Sequence, residues 1–232
     1  MVLKFFIFAV AFLISCTSEE RDSVCDEKSI YYNGCVGGVS SSSSSTVPSS
    51  SSEPAQSITY GPTITYEDED YETVVIGNQV WMAKNLNYNA PGSVCYNKNQ
   101  ADCTKYGRLY KWETAMSVCP YGWSLPINSE WNTLINYVGG ASAGRYLKSK
   151  SGWGGGFVGN GLNLVGFSAL PGGYGAPDGY FSDVDFSGYW WSSSVIEYNN
   201  NAYVLVMSNS EDSVSRYNMS KDYLFSVRCV KH

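Results

Sequence analysis

Histidine is almost missing from this chain: His232 is the only one in 232 residues. A histidine-based catalytic triad or a multi-histidine metal site is therefore not expected. Charge is also scarce, at 16% of residues, and tilts negative to a formal −6. No basic patch stands out, which speaks against a nucleic-acid partner. No Cys-x-x-Cys pair occurs, so zinc or redox clusters on that spacing are not expected. The apolar run Phe5–Ile14 is too short to span a bilayer comfortably.

What is present is aromatic and flexible. The chain holds 19 Tyr, 7 Trp and 23 Gly. Low charge with many Tyr, Gly, Ser and Asn suggests a β-rich exported protein. Lys4 and the run after it form a signal peptide over residues 1–15. Leu13-Ile14-Ser15-Cys16 resembles the lipobox of bacterial lipoproteins. That resemblance implies cleavage before Cys16 and lipidation of its sulfur and new amino group. Each buried CH₂ of such chains contributes about 0.8 kcal/mol, enough in sum to hold a domain on a membrane. Residue 17 is Thr rather than Asp, so the expected site is the outer membrane.

With Cys16 lipidated, Cys25, Cys35, Cys95, Cys103, Cys119 and Cys229 remain. An even number in an exported chain implies disulfides, with fifteen possible connectivities. The favoured pairing is Cys25–Cys35, Cys95–Cys103 and Cys119–Cys229. Two of these are local, and the third would close a loop worth about 4–5 kcal/mol of chain entropy. Residues 16–38 then form a lipidated segment with a small stapled loop. Residues 39–70 are a linker, with serine runs Ser40–Ser45 and Ser49–Ser52 and an acidic edge at 67–72. The acidic run lacks a glycine-containing loop of ligand spacing, so it reads as solvated rather than as a calcium site.

The globular domain is expected over residues 71–232. Glu72–Ile76, a Gly77-Asn78 turn and Gln79–Ala83 read as a hairpin. Cys95 and Cys103 lie in a loop, Tyr106–Tyr110 is a brief strand, and Trp112–Val118 is a short helix. Trp131, Leu134, Ile135 and Val138 fall at i, i+3, i+4, i+7, the apolar stripe of a central helix. Gly139-Gly140 ends it. Residues 143–149 are a second helical candidate and Val165–Leu170 a strand. Strands follow at Tyr189–Ser192, Ala202–Met207, Ser213–Tyr217 and Leu224–Val230. Short helices beside a mostly antiparallel sheet make the class α+β.

Several ordered motifs carry a family resemblance. Gly77-Asn-Gln-Val-Trp-Met-Ala-Lys-Asn-Leu, Tyr106-Gly-Arg-Leu-Tyr, Cys119-Pro-Tyr-Gly-Trp-Ser-Leu-Pro, Glu130-Trp131, Trp190-Trp191-Ser-Ser and Phe225-Ser-Val-Arg-Cys-Val together resemble the Fibrobacter succinogenes major paralogous domain. That implies an exported bacterial surface domain, often on lipoproteins. The pattern more loosely resembles the C-type-lectin-like fold, a group that includes the formylglycine-generating-enzyme type. The expected architecture is a disulfide-stapled domain with short helices packed on a twisted sheet. Ile127 departs from the family, which usually carries a capping residue there. Asn128 is expected to cap instead, without a reciprocal glutamate.

The functional expectations follow. The calcium-lectin tripeptides are missing: the only Glu-Pro is Glu53-Pro54 in the linker, and Trp191 is followed by serines. Formylglycine-type oxidation needs two free cysteines late in the domain, and only Cys229 lies there. No enzyme, metal or cofactor is expected. Asp178, Asp183 and Asp185 read as solvated loop carboxylates. The expected function is a calcium-independent binding or adhesion module. It is anchored to the membrane by lipid and presents Trp153, Tyr174, Tyr180 and Phe181 on glycine-rich loops to a polysaccharide or surface protein. The competing reading is a structural envelope protein without a fixed ligand.

Overall fold

A computed structural model describes residues 57–155 and 158–232. Cys16, Cys25 and Cys35, the expected signal peptide and the serine runs lie outside the described residues. The folded body starts ahead of Tyr71. Tyr60 bridges Val74, and strands β1 (Ile64–Tyr66) and β2 (Glu69–Tyr71) form a hairpin. Its two turn residues, Glu67 and Asp68, have φ of 49° and 60°, as a primed turn demands. The acidic run is thus a turn and strand of the body, not an edge preceding the first strand.

The expected hairpin is β3 (Thr73–Ile76) with β4 (Gln79–Met82), registering Val74 opposite Trp81. Gly77 in its turn has φ 61°. Next come β5 (Ser93–Val94), helix α1 (Gln100–Tyr106), β6 (Leu109–Tyr110), α2 (Trp112–Ala115) and β7 (Trp123–Ser124). The Cys95–Cys103 segment, expected to be a loop, carries the start of α1. Asn99 caps α1 there by accepting from the Ala101 N–H at 3.1 Å. Both favoured disulfides in the described part are formed, Cys95–Cys103 and Cys119–Cys229.

The central helix is α3 (Asn128–Val138), with Trp131, Leu134 and Val138 buried. Ile127 offers no side-chain acceptor. The Glu130 carboxylate nevertheless accepts from the Ile127 N–H at 2.9 Å, so the reciprocal half of the capping box is present. Asn128 does not cap; it is already helical, and its N–H donates to Ser194 Oγ at 2.9 Å. Helix α4 spans Ala143–Leu147. The expected strand Val165–Leu170 is a turn instead, with Gly166 at φ 76° and Ser168 at φ 52°. Asn163 holds it, donating to Ser168 Oγ and accepting from the Ser168 N–H, both at 2.8 Å.

The rest is sheet: β8 (Gly172–Gly175), β9 (Phe181–Val184), β10 (Ser187–Val195), β11 (Asn201–Ser208), β12 (Ser215–Ser220), β13 (Phe225–Ser226) and β14 (Val230–Lys231). One sheet runs β3-β4-β14-β7. The larger runs β12-β11-β10-β13-β6-β5, with β8 also on β10 and β9 on β8. Most pairs are antiparallel; β10 pairs with β13 and β8 in parallel.

Side chains alternate across a strand, so the neighbours Trp190 and Trp191 enter different cores. Trp190 joins Trp81, Trp131, Trp153 and Phe167. Trp191 joins Tyr110, Val204, Phe225 and Cys229. Each such side chain contributes about 1.5–3 kcal/mol by leaving water. Arg228 is completely buried among them. Its Nη2 donates to Asn85 Oδ1 at 2.7 Å and its Nε at 3.1 Å. Its Nη1 donates to the Met82 carbonyl at 3.1 Å and to the Phe167 carbonyl. The guanidinium also lies 4.3 Å from the Phe167 ring centre.

Candidate functional site: an aromatic groove on the large sheet

The registers of β10, β11 and β12 build one wall of side chains. Tyr189 faces Val206, and Val206 faces Ser215. One rung on, Trp191, Val204 and Tyr217 align, and Ala202 faces Met219. Residues two apart share a face, so Tyr189, Val206, Ser215, Tyr217 and Met219 look the same way. Tyr174 from β8, Asp183 from β9, Tyr223 and Phe225 close over this face. The result is a groove of about 440 Å³.

Its rings brace one another. Phe225 is fully buried and forms the floor. Tyr189 and Tyr223 stack on it with centroids at 5.4 and 5.7 Å. Tyr174 meets Tyr189 edge-on at 5.2 Å. Such pairs add about 0.5–1.5 kcal/mol beyond area and fix the ring positions. Tyr217 stays open to solvent at 56% exposure.

Two carboxylates line the groove, Asp183 and Glu211. Asp183 is at φ 67°. Its Oδ2 accepts from the Tyr189 hydroxyl at 2.5 Å and its Oδ1 from Ser182 Oγ at 2.8 Å. Burial pushes the Tyr189 phenol up, and the bond to Asp183 and that carboxylate's charge push it further. Tyr174 is raised too, by burial first and then by the Asp183 charge. Gly173 lets β9 approach: a Cβ there would sit 2.3 Å from the Ser182 carbonyl. The segment carrying Ser208 and Glu211 is held from the core side by Lys148. Its buried Nζ donates to both of their carbonyls at 2.9 Å. Burial lowers the Lys148 pKa.

The residues expected to bind do not stand together. Tyr174 lines the groove. Phe181 packs edge-on against Tyr96 at 5.4 Å. Tyr180 is 64% exposed, outside the groove lining. Trp153 is only 5% exposed, and its Nε1 donates to Ser149 Oγ and the Ala169 carbonyl, both at 3.1 Å. It is a core plug, not a presented ring: it belongs to the first core with Phe167 and Ala169. Tyr189, Tyr217, Tyr223, Phe225 and Glu211 were missed. Alternation of Ser215, Tyr217 and Met219 along β12 was the available signal.

Asp178, Asp183 and Asp185 do not converge. Asp178 caps its own turn through the Tyr180 N–H at 3.0 Å. Asp185 accepts from the Tyr106 hydroxyl at 2.5 Å and pairs with Lys105 at 3.4 Å. Among the described residues no group of three His, Cys, Asp or Glu could hold a metal. Cys229 is tied to Cys119, so it offers no free thiol for formylglycine-type chemistry. The single histidine does meet a serine and a carboxylate. His232 Nε2 lies 2.5 Å from Ser124 Oγ, and Nδ1 lies 3.6 Å from Glu130. That order matches nucleophile, base and orienter, an arrangement that a single histidine does not lead one to expect. None of the three lines the groove. The His232 side chain is 56% exposed, and the contact links β7, α3 and the residue after β14 at the surface.

No curated protein and no solved structure matches the chain. The family model described as the Fibrobacter succinogenes major domain matches residues 74–231. This span takes in both sheets from β3 onward, the Asn85–Arg228 contact, both disulfides and the groove. The chain belongs to the Fibrobacter succinogenes major domain family.

Proposed function

We propose that this protein is a non-enzymatic binding module that holds a glycan in the aromatic groove. The observation that carries this is the groove's composition: five aromatic rings beside serine hydroxyls and two carboxylates. Rigid rings offer flat apolar faces to the C–H surface of a sugar at little ordering cost. Hydroxyls and carboxylates supply the hydrogen bonds that fix its orientation. All these donors and acceptors are protein groups, so the reading needs no calcium. Tyr174, Tyr189, Tyr217 and Phe225 stand on strands, and Tyr174, Tyr189, Tyr223 and Phe225 brace one another, so a ligand meets a largely preformed surface.

The reading extends to the whole chain. Cys16 carries lipid and places the protein on the outer membrane, with the serine runs as a spacer. The α+β body is a C-type-lectin-like variant, supported by the disulfide that ties Cys119, ahead of β7 and α3, to Cys229, directly before β14. The test is retention of the oxidised protein on insoluble polysaccharides in EDTA, compared with Tyr217→Ala. Retention of the parent and its loss in the variant, at unchanged Tm, supports the proposal. Absence of retention on every polysaccharide counts against it.

A further inference from the structure

The charge of the groove narrows the class of glycan. Asp183 and Glu211 line it, and no Lys or Arg does. On β12, Ser215, Tyr217 and Met219 face the groove, while Arg216 alternates away and its guanidinium meets Asn132. Lys148 is the nearest buried cation to the Ser208–Glu211 segment. It lies on the core side with Nζ committed to two backbone carbonyls, and it also faces the Trp153 ring at 5.3 Å. The carboxylates keep acceptor capacity. Asp183 takes one hydrogen bond on each oxygen, and Glu211 takes one, from Ser213. An ionised carboxylate offers about four acceptor sites. The field at the groove is felt by its own tyrosines: the Asp183 charge adds to burial in raising both Tyr174 and Tyr189.

Aromatic faces and carboxylates share one preferred ligand, a cation. A ring face attracts an ammonium group through its quadrupole. A carboxylate attracts the same group by charge-assisted hydrogen bonds. Resting on the glycan reading above, we infer that the groove selects a glycan bearing free amines, such as a de-N-acetylated hexosamine polymer. The sugar ring lies along Tyr189, Tyr217 and Tyr223, and its ammonium group points to Asp183 and Glu211. Acetylation of the amine removes both the charge and the donors those carboxylates need.

The test uses the full chain with its disulfides intact and four probes: a glucosamine oligomer, its N-acetylated form, a glucose oligomer and spermidine. The expected result by calorimetry is tight binding of the glucosamine oligomer, with at least about tenfold weaker binding of the two neutral sugars. Asp183→Asn and Glu211→Gln each lower affinity for the amine sugar by about tenfold and lower neutral-sugar affinity by clearly less, so that the preference for the amine narrows. Added salt weakens the amine sugar selectively. Equal binding of all three sugars overturns the amine inference and leaves the glycan reading standing. Binding of spermidine without any sugar supports cation selection and overturns the glycan reading. Binding of no probe overturns both.

Discussion

Asn85 Oδ1 accepts three hydrogen bonds at once, from Trp190 Nε1 at 2.8 Å and from Nη2 and Nε of Arg228. The Asn85 amide donates in turn to the Tyr106 carbonyl at 2.8 Å. Four separate sequence motifs therefore meet at one buried amide. Arg228 takes part in none of the salt bridges among the described residues. Burial brings its pKa down to about 9, and its charge is solvated by amide and carbonyl dipoles.

Removing that amide leaves buried donors with nothing to meet. Asn85→Leu is expected to cost about 3–5 kcal/mol in denaturant unfolding, since a buried charge loses its main acceptor. Arg228→Met paired with Asn85→Leu is expected to cost less than the sum of the two single changes. Additive costs would mean the pair is not coupled.

The two disulfides differ in loop length, with separations of 8 and 110 residues. The chain-entropy model assigns about 2.5 kcal/mol to the first and about 4.8 kcal/mol to the second. Cys119→Ala/Cys229→Ala is expected to lower the unfolding midpoint well beyond Cys95→Ala/Cys103→Ala. The reverse ranking would locate most of the stabilisation in native contacts around Cys95 and Cys103.

Stability is expected to fall above pH 10. Burial raises Tyr71 from its usual 10 to about 12 and raises Tyr110 and Tyr189 as well. A raised folded pKa gives stability that is fully present below pH 10. It is lost between pH 10 and 12, where unfolded phenols release protons that the folded ones keep. Arg228 and Lys148 are lowered and act with the opposite sign in the alkaline range, but the raised tyrosines outnumber them. For Tyr71 alone the effect is on the order of 2 kcal/mol. Thermal melts across this range, with Tyr71→Phe flattening the decline, check the assignment; an unchanged decline in that variant refutes it.

Trp153 and Tyr217 should behave as opposites. Trp153→Ala opens a cavity in the first core and is expected to cost about 3–5 kcal/mol. Tyr217→Ala removes a half-exposed ring and is expected to leave Tm nearly unchanged while abolishing retention on polysaccharide. Thermal melts and retention assays on the two variants separate core from site.

The contrast also shows what the sequence carried. Helix α3 was legible because Trp131, Leu134 and Val138 keep a helical period and Gly139 ends it. The β3–β4 hairpin was legible from Gly77-Asn78. The pairing of Cys119 with Cys229 followed from chain order and the local alternatives. The groove was not legible, because its wall comes from β10, β11 and β12 in register while Tyr174, Tyr223 and Asp183 arrive from elsewhere. Composition drew attention to Trp153 in a glycine-rich stretch, but its ring belongs to the first core with Phe167 and Ala169. Asn163 sets the turn at 166–168 through two side-chain bonds, a signal that apolar spacing does not report.

The most direct measurement is polysaccharide retention of the oxidised full chain in EDTA, side by side with Tyr217→Ala. Retention of the parent with loss in the variant, both folded by melting curve, is the predicted result. Equal retention of both proteins would place binding outside the groove and contradict it.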